Sequence, residues 1–143
     1  MPVFQLIYRS KANAYFSDDD LIRLLHQCRT NNIGKKVTGL LLYGYGNFIQ
    51  LLEGDDDVVR DLYTQRISRD PRHRDPVILH QKYVPKRLFK NWSMAFKPLN
   101  AERVKHLSGF LEPERPLKNG KNLLAPLRLL EVMQGFALDM SRK

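Results

Sequence analysis

The chain has 143 residues and a mass of 16.8 kDa, which is the size of one ordinary domain. Its 43% hydrophobic residues are enough for a packed core. No apolar run reaches the roughly 18 residues that a membrane-spanning helix needs. The formal net charge is +9, with 24 Lys and Arg against 15 Asp and Glu. This charge is compatible with nucleic acid, an anionic membrane surface, an acidic protein or a phosphate-bearing ligand, and it selects none of them.

Several kinds of site are disfavoured by the residue types present. Cys28 is the only cysteine, which excludes an internal disulfide and a zinc site built on cysteines. The N-terminal residues show no basic region and no cleavage site of a secretory signal, so we expect a cytoplasmic protein. The histidines are scattered and none stands at ligand spacing from a carboxylate, so we expect no metal site. No nucleophile and base can be paired from the pattern.

The first predicted elements are a strand and a helix. Residues 3–9 predict a strand, along which alternate side chains share a face. Ser17 is placed as the N-cap of a helix, with Asp20 three residues later as an imperfect capping box. We expect this helix to end near Thr30, with Gly34 close to its C-cap.

A hairpin and a second helix follow. Two strands, 37–43 and 47–53, flank a glycine-containing turn. Gly39 lies inside the first of them, where a glycine indicates the close approach of a backbone or a ligand. Residues 56–68 predict the second helix, and the acidic run that opens it suits the positive end of the helix dipole.

Two further strands, 77–83 and 92–97, follow a proline-bounded loop and are joined by a basic loop. The order up to residue 97 is therefore β-α-β-β-α-β-β. This order predicts an α+β fold with a ferredoxin-like sheet, two helices on one face and one extra strand. In such a fold the first and third strands are neighbours at the centre of the sheet.

We divide the chain into a domain at 1–97 and a C-terminal helical extension at 98–143. The extension predicts a short helix near 101–110 and a longer one near 125–138. Apolar residues recur at helical spacing in the longer helix, and we expect this stripe to pack on the open face of the sheet or on another subunit. Because the size leaves no obvious room for an output domain, we expect the protein to report to another molecule.

Two polar side chains stand in otherwise buried strands. Gln50 shares a strand face with Phe48 and Leu52. Tyr8 lies on the first strand, and a buried amide or phenol needs a hydrogen-bond partner. In the predicted sheet the two side chains can meet beneath the helices. The pair either satisfies itself within the core or faces a ligand, and spacing alone leaves both readings open.

Two further pairs have a structural and a functional interpretation. Asn31 and Asn32 close the first helix, where one asparagine is an ordinary cap and two in succession suggest amide recognition. Trp92 and Met94 alternate on the last strand and face one side, as either core residues or ligand contacts. Cys28 lies on the apolar face of the first helix and is expected to pack as a small hydrophobic residue.

Five segments of the sequence form a recognisable series. They are LIYRS from residue 6, Asn31-Asn32 followed by TGLLLY from residue 38, FIQLLEG from residue 48, DPRH from residue 70 and WSM from residue 92. Taken together, these segments resemble the BLUF family, which consists of blue-light sensors that use a flavin. They span residues 3 to about 97, and their family order makes the signal specific. One departure is that the segment from 62 to 70 is one residue longer than we expect for the family.

The resemblance implies a noncovalently bound flavin between the two helices, FAD with FMN as the alternative. It implies that Tyr8 gives an electron and a proton to the excited flavin and that the Gln50 amide rearranges, which produces a reversible red-shifted state. The implied cofactor-binding residues are Tyr8, Asn31, Asn32, Gln50, Arg66 and Asp70, and the implied relay residues are Trp92 and Met94.

The resemblance also implies a photoreceptor and not an enzyme. Its signal would pass to a downstream effector protein whose identity the sequence does not give, and we expect a homo-oligomer with no membrane partner. One alternative is a basic, ferredoxin-like nucleic-acid-binding module, since residues 60–90 are rich in Lys and Arg. The strands lack the aromatic pair typical of RNA-binding sheets, so we do not expect nucleic acid as the partner. A small flavin enzyme is the third hypothesis, although the pattern offers no side chain that could act as a base towards a substrate and no nicotinamide site.

Overall fold

The computed structural model describes residues 2–90, 93–98 and 133. The elements are β1 (Val3–Ala12), α1 (Asp18–Lys35), β2 (Thr38–Gly44), β3 (Asn47–Gly54), α2 (Asp56–Asp61), a π-helical segment (Leu62–Ile67), β4 (His73–Val84) and β5 (Ala95–Pro98). The sheet order is β4-β1-β3-β2-β5, with β2 and β5 parallel and the other pairs antiparallel. The predicted α+β, ferredoxin-like sheet with one extra strand is therefore confirmed, and β1 and β3 are neighbours.

The first helix begins as predicted and ends later. The Asp20 backbone N–H donates to Ser17 Oγ at 3.2 Å, and the Ser17 N–H donates to the Asp20 carboxylate at 3.0 Å, which completes the capping box. The predicted end near Thr30 is wrong, because α1 continues to Lys35. Lys36 itself adopts the left-handed conformation at the end of the helix, with φ of 56°. The predicted role of Gly34 near the C-cap is thus wrong, and this glycine lies within the helix.

The second helix is not uniformly α-helical. The predicted helix at 56–68 is α-helical only over Asp56–Asp61 and π-helical over Leu62–Ile67. The Ser68 backbone N–H donates to the Tyr63 carbonyl five residues earlier at 2.8 Å. A π-helical turn holds one residue more than the α-helix requires. Residues 62–67 therefore hold one residue more than a continuous α-helix would over the same stretch.

The outer strand β4 is longer than the sequence predicted. The proline-bounded loop was expected to last to residue 76, but β4 begins at His73, which pairs with Ala12 at the extended end of β1. Two register shifts interrupt the β1–β4 pairing, and Asp75 has a positive φ of 53°. Bulges on an edge strand tolerate Pro76, which has no N–H to donate. The expected loop is therefore confirmed over residues 70–72, including Pro71, and its extension to Pro76 is wrong.

The last strand begins later than predicted. The prediction was 92–97, whereas β5 begins at Ala95, and Ser93 and Met94 form a bend before it. The carbonyl groups of this bend accept hydrogen bonds from side chains of α1, so they are not available to a strand ladder. Trp92 lies outside the described residues. The predicted helices at 101–110 and 125–138 also lie outside them, apart from Met133, which is helical and buried.

Close packing of two strands explains the glycine in β2. A Cβ atom at Gly39 would stand 1.9 Å from the Leu51 carbonyl oxygen of β3. The predicted close approach is therefore that of a backbone. Among the described residues, no helix is long and apolar enough to cross a membrane.

Candidate functional site

A cavity of about 640 Å³ opens between α1 and the π-helical segment, above the sheet. This volume lies within the range of small-molecule and cofactor sites. Leu24 and Cys28 of α1 line the cavity and are only partly buried, although Cys28 was expected to pack as a small hydrophobic residue. Its lining includes Leu24, Cys28, Asn31 and Asn32 from α1, Tyr8, Phe48 and Gln50 from the sheet, and Gln65, Arg66, Ile67, Asp70, Arg72 and His73 from the other side.

Tyr8 and Gln50 form a buried pair at the base of the cavity. They are direct cross-strand partners of β1 and β3, and each is 4% exposed. The Tyr8 hydroxyl donates to Gln50 Oε1 over 2.5 Å. The pKa of the Tyr8 phenol is raised well above its ordinary value. Burial is the largest cause, and the nearby Cys28 and Tyr63 add to it. The phenol is therefore a protonated donor, and its proton points at the glutamine amide.

The Gln50 amide connects this pair to the segment before β5. Its Nε2 donates to the Met94 Sδ at 3.4 Å. A thioether is a weak acceptor, so this bond costs little to break. A primary amide carries a donor at one end and an acceptor at the other. Rotation or tautomerisation of Gln50 therefore changes its contacts with Tyr8 and Met94 together.

The end of α1 holds the same segment through two side chains. Asn32 is 2% exposed, and its Nδ2 donates to the Ser93 carbonyl at 2.9 Å. Arg29 Nε donates to the Met94 carbonyl at 2.9 Å. Asn31 is half-buried and lines the cavity beside Asn32. The two asparagines are therefore placed in the last turns of α1, on the cavity wall.

Arg66 and Asp70 line the opposite wall, in different environments. Arg66 is exposed at the cavity rim. Asp70 is half-buried and bound by Arg72, whose Nη2 and Nε approach the carboxylate at 2.5 and 2.9 Å. Burial opposes ionisation of Asp70, but the hydrogen bonds and charge of Arg72 outweigh it and hold the pKa of Asp70 below its usual value. Asp70 is thus an ionised, pre-positioned acceptor.

His73 is a site residue to which the sequence reasoning gave no role. Its Nδ1 lies 2.6 Å from Ser10 Oγ, and its Nε2 lies 2.5 Å from the Ile67 carbonyl. The imidazole therefore ties β1 to the end of the π-helical segment, and its ring packs edge-on against Phe48. The DPRH segment contains this histidine, so the motif itself carried the signal.

Cys28 also lines the cavity, and burial raises the pKa of its thiol to about 11. It is therefore a neutral, small, polarisable wall residue. Within the part of the chain that the structure describes, no group of three histidine, cysteine or carboxylate residues could hold a metal ion. The binding chemistry of this cavity comes instead from amides, a phenol and arginines.

Comparison with known proteins gives a consistent family assignment. The family model described as "Sensors of blue-light using FAD" matches residues 3–95. The chain is 36% identical over 90 residues to photoactivated adenylate cyclase subunit beta of Euglena gracilis, which covers 62% of this chain and 10% of that protein. It is 36% identical over 88 residues to the blue light- and temperature-regulated antirepressor BluF of Escherichia coli (strain K12), covering 59% of this chain and 21% of that protein.

Solved structures agree with the sequence matches. The photo-activated state of BlsA superposes with a TM-score of 0.71 at 28% identity, covering 92% of this chain and 94% of that one. The dark state of the BLUF protein BlrB gives a TM-score of 0.67 at 27% identity, covering 90% and 93%. This chain spans less than a quarter of the length of the two curated relatives above. The matched residues include β1 to β4 and the whole cavity wall, and the chain belongs to the BLUF family of flavin-using blue-light sensors.

Proposed function

We propose that this chain is a non-enzymatic photoreceptor that holds a flavin in the cavity and passes a light signal to a partner protein. The observation that carries the proposal is the buried contact between the Tyr8 hydroxyl and the Gln50 amide, 2.5 Å long and at the base of the cavity. The same amide touches Met94, which directly precedes β5. One rearrangement of Gln50 would therefore alter both the cofactor site and the start of β5.

The residues of the cavity fit a flavin. A flavin ring has two apolar faces and one polar edge, and Leu24 and Ile67 supply apolar wall from opposite sides. Asn31, Asn32 and Gln50 supply amide donors and acceptors for the edge. We name FAD as the cofactor because the family model is described by it, with FMN as the alternative because a structure of Klebsiella pneumoniae BlrP1 holds FMN.

The proposed chemistry uses the Tyr8 phenol and the Gln50 amide in turn. The flavin, when bound, supplies absorption of blue light and an excited state that accepts an electron. Tyr8 gives up that electron, and its proton leaves along the hydrogen bond to Gln50 Oε1. The amide then rotates or tautomerises, and Tyr8 recovers its electron and proton. The raised pKa of Tyr8 keeps the phenol protonated in the dark, so each cycle begins from the same state.

The signal is proposed to leave through Met94 and β5. A change at Gln50 alters the contact with the Met94 sulfur, and Met94 directly precedes β5 at the edge of the sheet. We assign residues 1–97 to the sensor and 98–143 to the helical output extension. Trp92 and Met94 lie in the sensor, shortly before this boundary in the sequence. The receiver is proposed to be a separate effector protein, reached by a homo-oligomer of this chain.

An absorption spectrum before and after blue light tests the proposal. We expect a yellow protein whose flavin bands shift to longer wavelength and recover in darkness, and chromatography of the released flavin distinguishes FAD from FMN. The variant Tyr8→Phe is expected to keep the flavin and lose the shift, because the ring remains and the transferable proton does not. Tyr15→Phe, at a tyrosine that is 85% exposed, is the matched control and keeps the shift.

Two results would overturn the proposal. One is a colourless protein that takes up neither FAD nor FMN. The other is a Tyr8→Phe variant with an unchanged photocycle, which would remove the phenol from its proposed role.

A further inference from the structure

A second polar cluster lies on the face of the sheet opposite the cavity and is centred on Glu53 of β3. Gln50 and Glu53 are three residues apart on one strand, so their side chains point to opposite faces. Glu53 is fully buried, and Gln5 Nε2 donates to its carboxylate at 2.9 Å. The backbone N–H groups of Leu88 and Phe89 donate to the same carboxylate, also at 2.9 Å. Every partner is a donor, as an acceptor-only carboxylate requires.

These bonds fix the start of the segment between β4 and β5, called the β4–β5 loop, of which the structure describes residues 85–90 and 93–94. A buried carboxylate is retained only where hydrogen bonds compensate its lost hydration, and two of the three compensating donors here are loop backbone. Arg87 adds a second attachment, because its Nη1 donates to Thr38 Oγ1 at 2.9 Å and to the Glu53 carbonyl at 3.0 Å. The beginning of the loop is therefore bound to β2 and β3.

The end of the β4–β5 loop is bound to different groups. Asn32 and Arg29 hold its last two carbonyls, and Gln50 touches the Met94 sulfur. Both ends are thus attached to β3, one through Glu53 on the far face and one through Gln50 on the cavity face. Only the second attachment is a weak contact to an amide that can change its orientation.

We propose that Glu53 is a positioning residue that keeps the start of the β4–β5 loop fixed while the Gln50 end responds. With residues 88 and 89 held by the carboxylate, a change at Gln50 displaces Met94 and the residues just before it. Without that hold, residues 88 and 89 would shift as well, and the displacement at Met94 would be smaller. The role in signalling rests on the proposed photoreceptor function, whereas the fixation of the loop is a property of the dark state.

Trp92 is the only tryptophan and stands between the two attachments in sequence, so its fluorescence reports on this loop. The experiment measures acrylamide quenching of tryptophan emission, in darkness and after blue light, together with the flavin absorption shift and thermal unfolding. Glu53→Gln removes the charge and replaces one of the two acceptor oxygens by an NH₂ group, which weakens the hold on the loop. We expect the flavin shift to remain, dark quenching to rise about twofold, and the light-induced change in quenching to fall by at least about half.

Arg87→Met is the second variant, because it loosens the same loop and leaves the buried Glu53 carboxylate in place. It is expected to act in the same direction. Gln5→Met is the matched control, since it removes a donor from the same carboxylate but leaves both loop hydrogen bonds. It is expected to lower the unfolding temperature and leave the Trp92 quenching as in the wild type.

The outcomes separate this inference from the photoreceptor proposal. Wild-type quenching in both Glu53→Gln and Arg87→Met overturns the positioning role, as does a Gln5→Met variant that reproduces the Glu53→Gln effect. If Glu53→Gln does not fold, Arg87→Met decides. Absence of any flavin shift in the wild type counts against the proposed function, while the dark quenching comparison still decides whether Glu53 fixes the loop.

Discussion

Replacing Gly39 by alanine is the most direct test of how the sheet beneath the cavity is packed. The new Cβ would lie 1.9 Å from the Leu51 carbonyl oxygen and 2.9 Å from the carbonyl carbon, both of which are backbone atoms that no rotamer change can move. The strands β2 and β3 would have to separate by more than about 1 Å to restore ordinary contact. Overpacking of this kind costs about 1–3 kcal/mol, and the loss of adjacent ladder hydrogen bonds adds about 1 kcal/mol each.

We therefore expect Gly39→Ala to lower the free energy of unfolding by about 3 kcal/mol or more, out of the roughly 5–15 kcal/mol that a domain has. For a chain of this size that corresponds to a fall in Tm of about 10 °C. The assay is thermal and urea unfolding followed by circular dichroism, with flavin retention measured in parallel.

Gly34→Ala is the matched control, because this glycine lies within α1, has no neighbouring atom within 4 Å and has no positive φ. Alanine there is expected to stabilise by about 0.5 kcal/mol, since it restricts the unfolded chain and favours the helix. The two substitutions are therefore expected to change the free energy of unfolding in opposite directions. A Gly39→Ala protein as stable as the wild type would refute the close approach of the two strands.

Two further predictions concern the cavity wall. Deletion of Gln65 removes one residue from the π-helical segment, so we expect a folded protein with a continuous α-helix there. Flavin binding is expected to weaken, because Arg66 and the residues after it would be rotated relative to the cavity. Unchanged flavin affinity, measured by titration, would contradict this. Asp70 has a lowered pKa in the folded state, so it stabilises the fold above the unfolded value of about 3.9 and loses that contribution as the pH falls through the folded value. Asp70→Asn is therefore expected to reduce the loss of stability as the pH falls below about 5, measured by urea unfolding, and an unaltered pH dependence would exclude this contribution.

The Tyr8–Gln50 contact was accessible from the sequence because it rests on short-range regularities. Alternation fixes which residues of a strand share a face, and the element order makes β1 and β3 neighbours. A buried polar side chain on each strand then implies a partner on the other. The structure adds the register, in which Tyr8 and Gln50 are directly opposite.

The π-helical segment could not be derived in the same way. A π-helical turn differs from an α-helical one by a single residue, and the pattern of Val59, Leu62, Tyr63 and Ile67 suits either geometry. The only sign was the expectation, from the family resemblance, that the segment before Asp70 is one residue longer. The local sequence does not predict the bend at Met94 either. The hydrogen bonds that replace a strand ladder there come from Asn32 and Arg29, more than sixty residues earlier in the chain.

The polar cluster around Glu53, on the face of the sheet opposite the cavity, was not predicted from the sequence. A glutamate that ends a strand and precedes Gly54 resembles an ordinary strand boundary, and the backbone donors that satisfy it carry no side-chain signature. Its burial follows from the position of β3 between β1 and β2. A polar side chain on an inner strand cannot reach solvent at an edge, so it must be satisfied by whatever covers its face.

The same position gives β3 its part in the proposed signal. Seven of its eight residues, from Asn47 to Glu53, pair with both β1 and β2, so the strand cannot move without disturbing both neighbours. A change at Gln50 is therefore transmitted more readily through a side chain than through the strand itself. The Gln50 amide can change its orientation, because its contact with the Met94 sulfur is weak. Glu53 holds the other end of the β4–β5 loop to the β3 strand, which does not move. A rigid strand that carries one adjustable and one fixed attachment converts a local hydrogen-bond change into displacement of the segment between them.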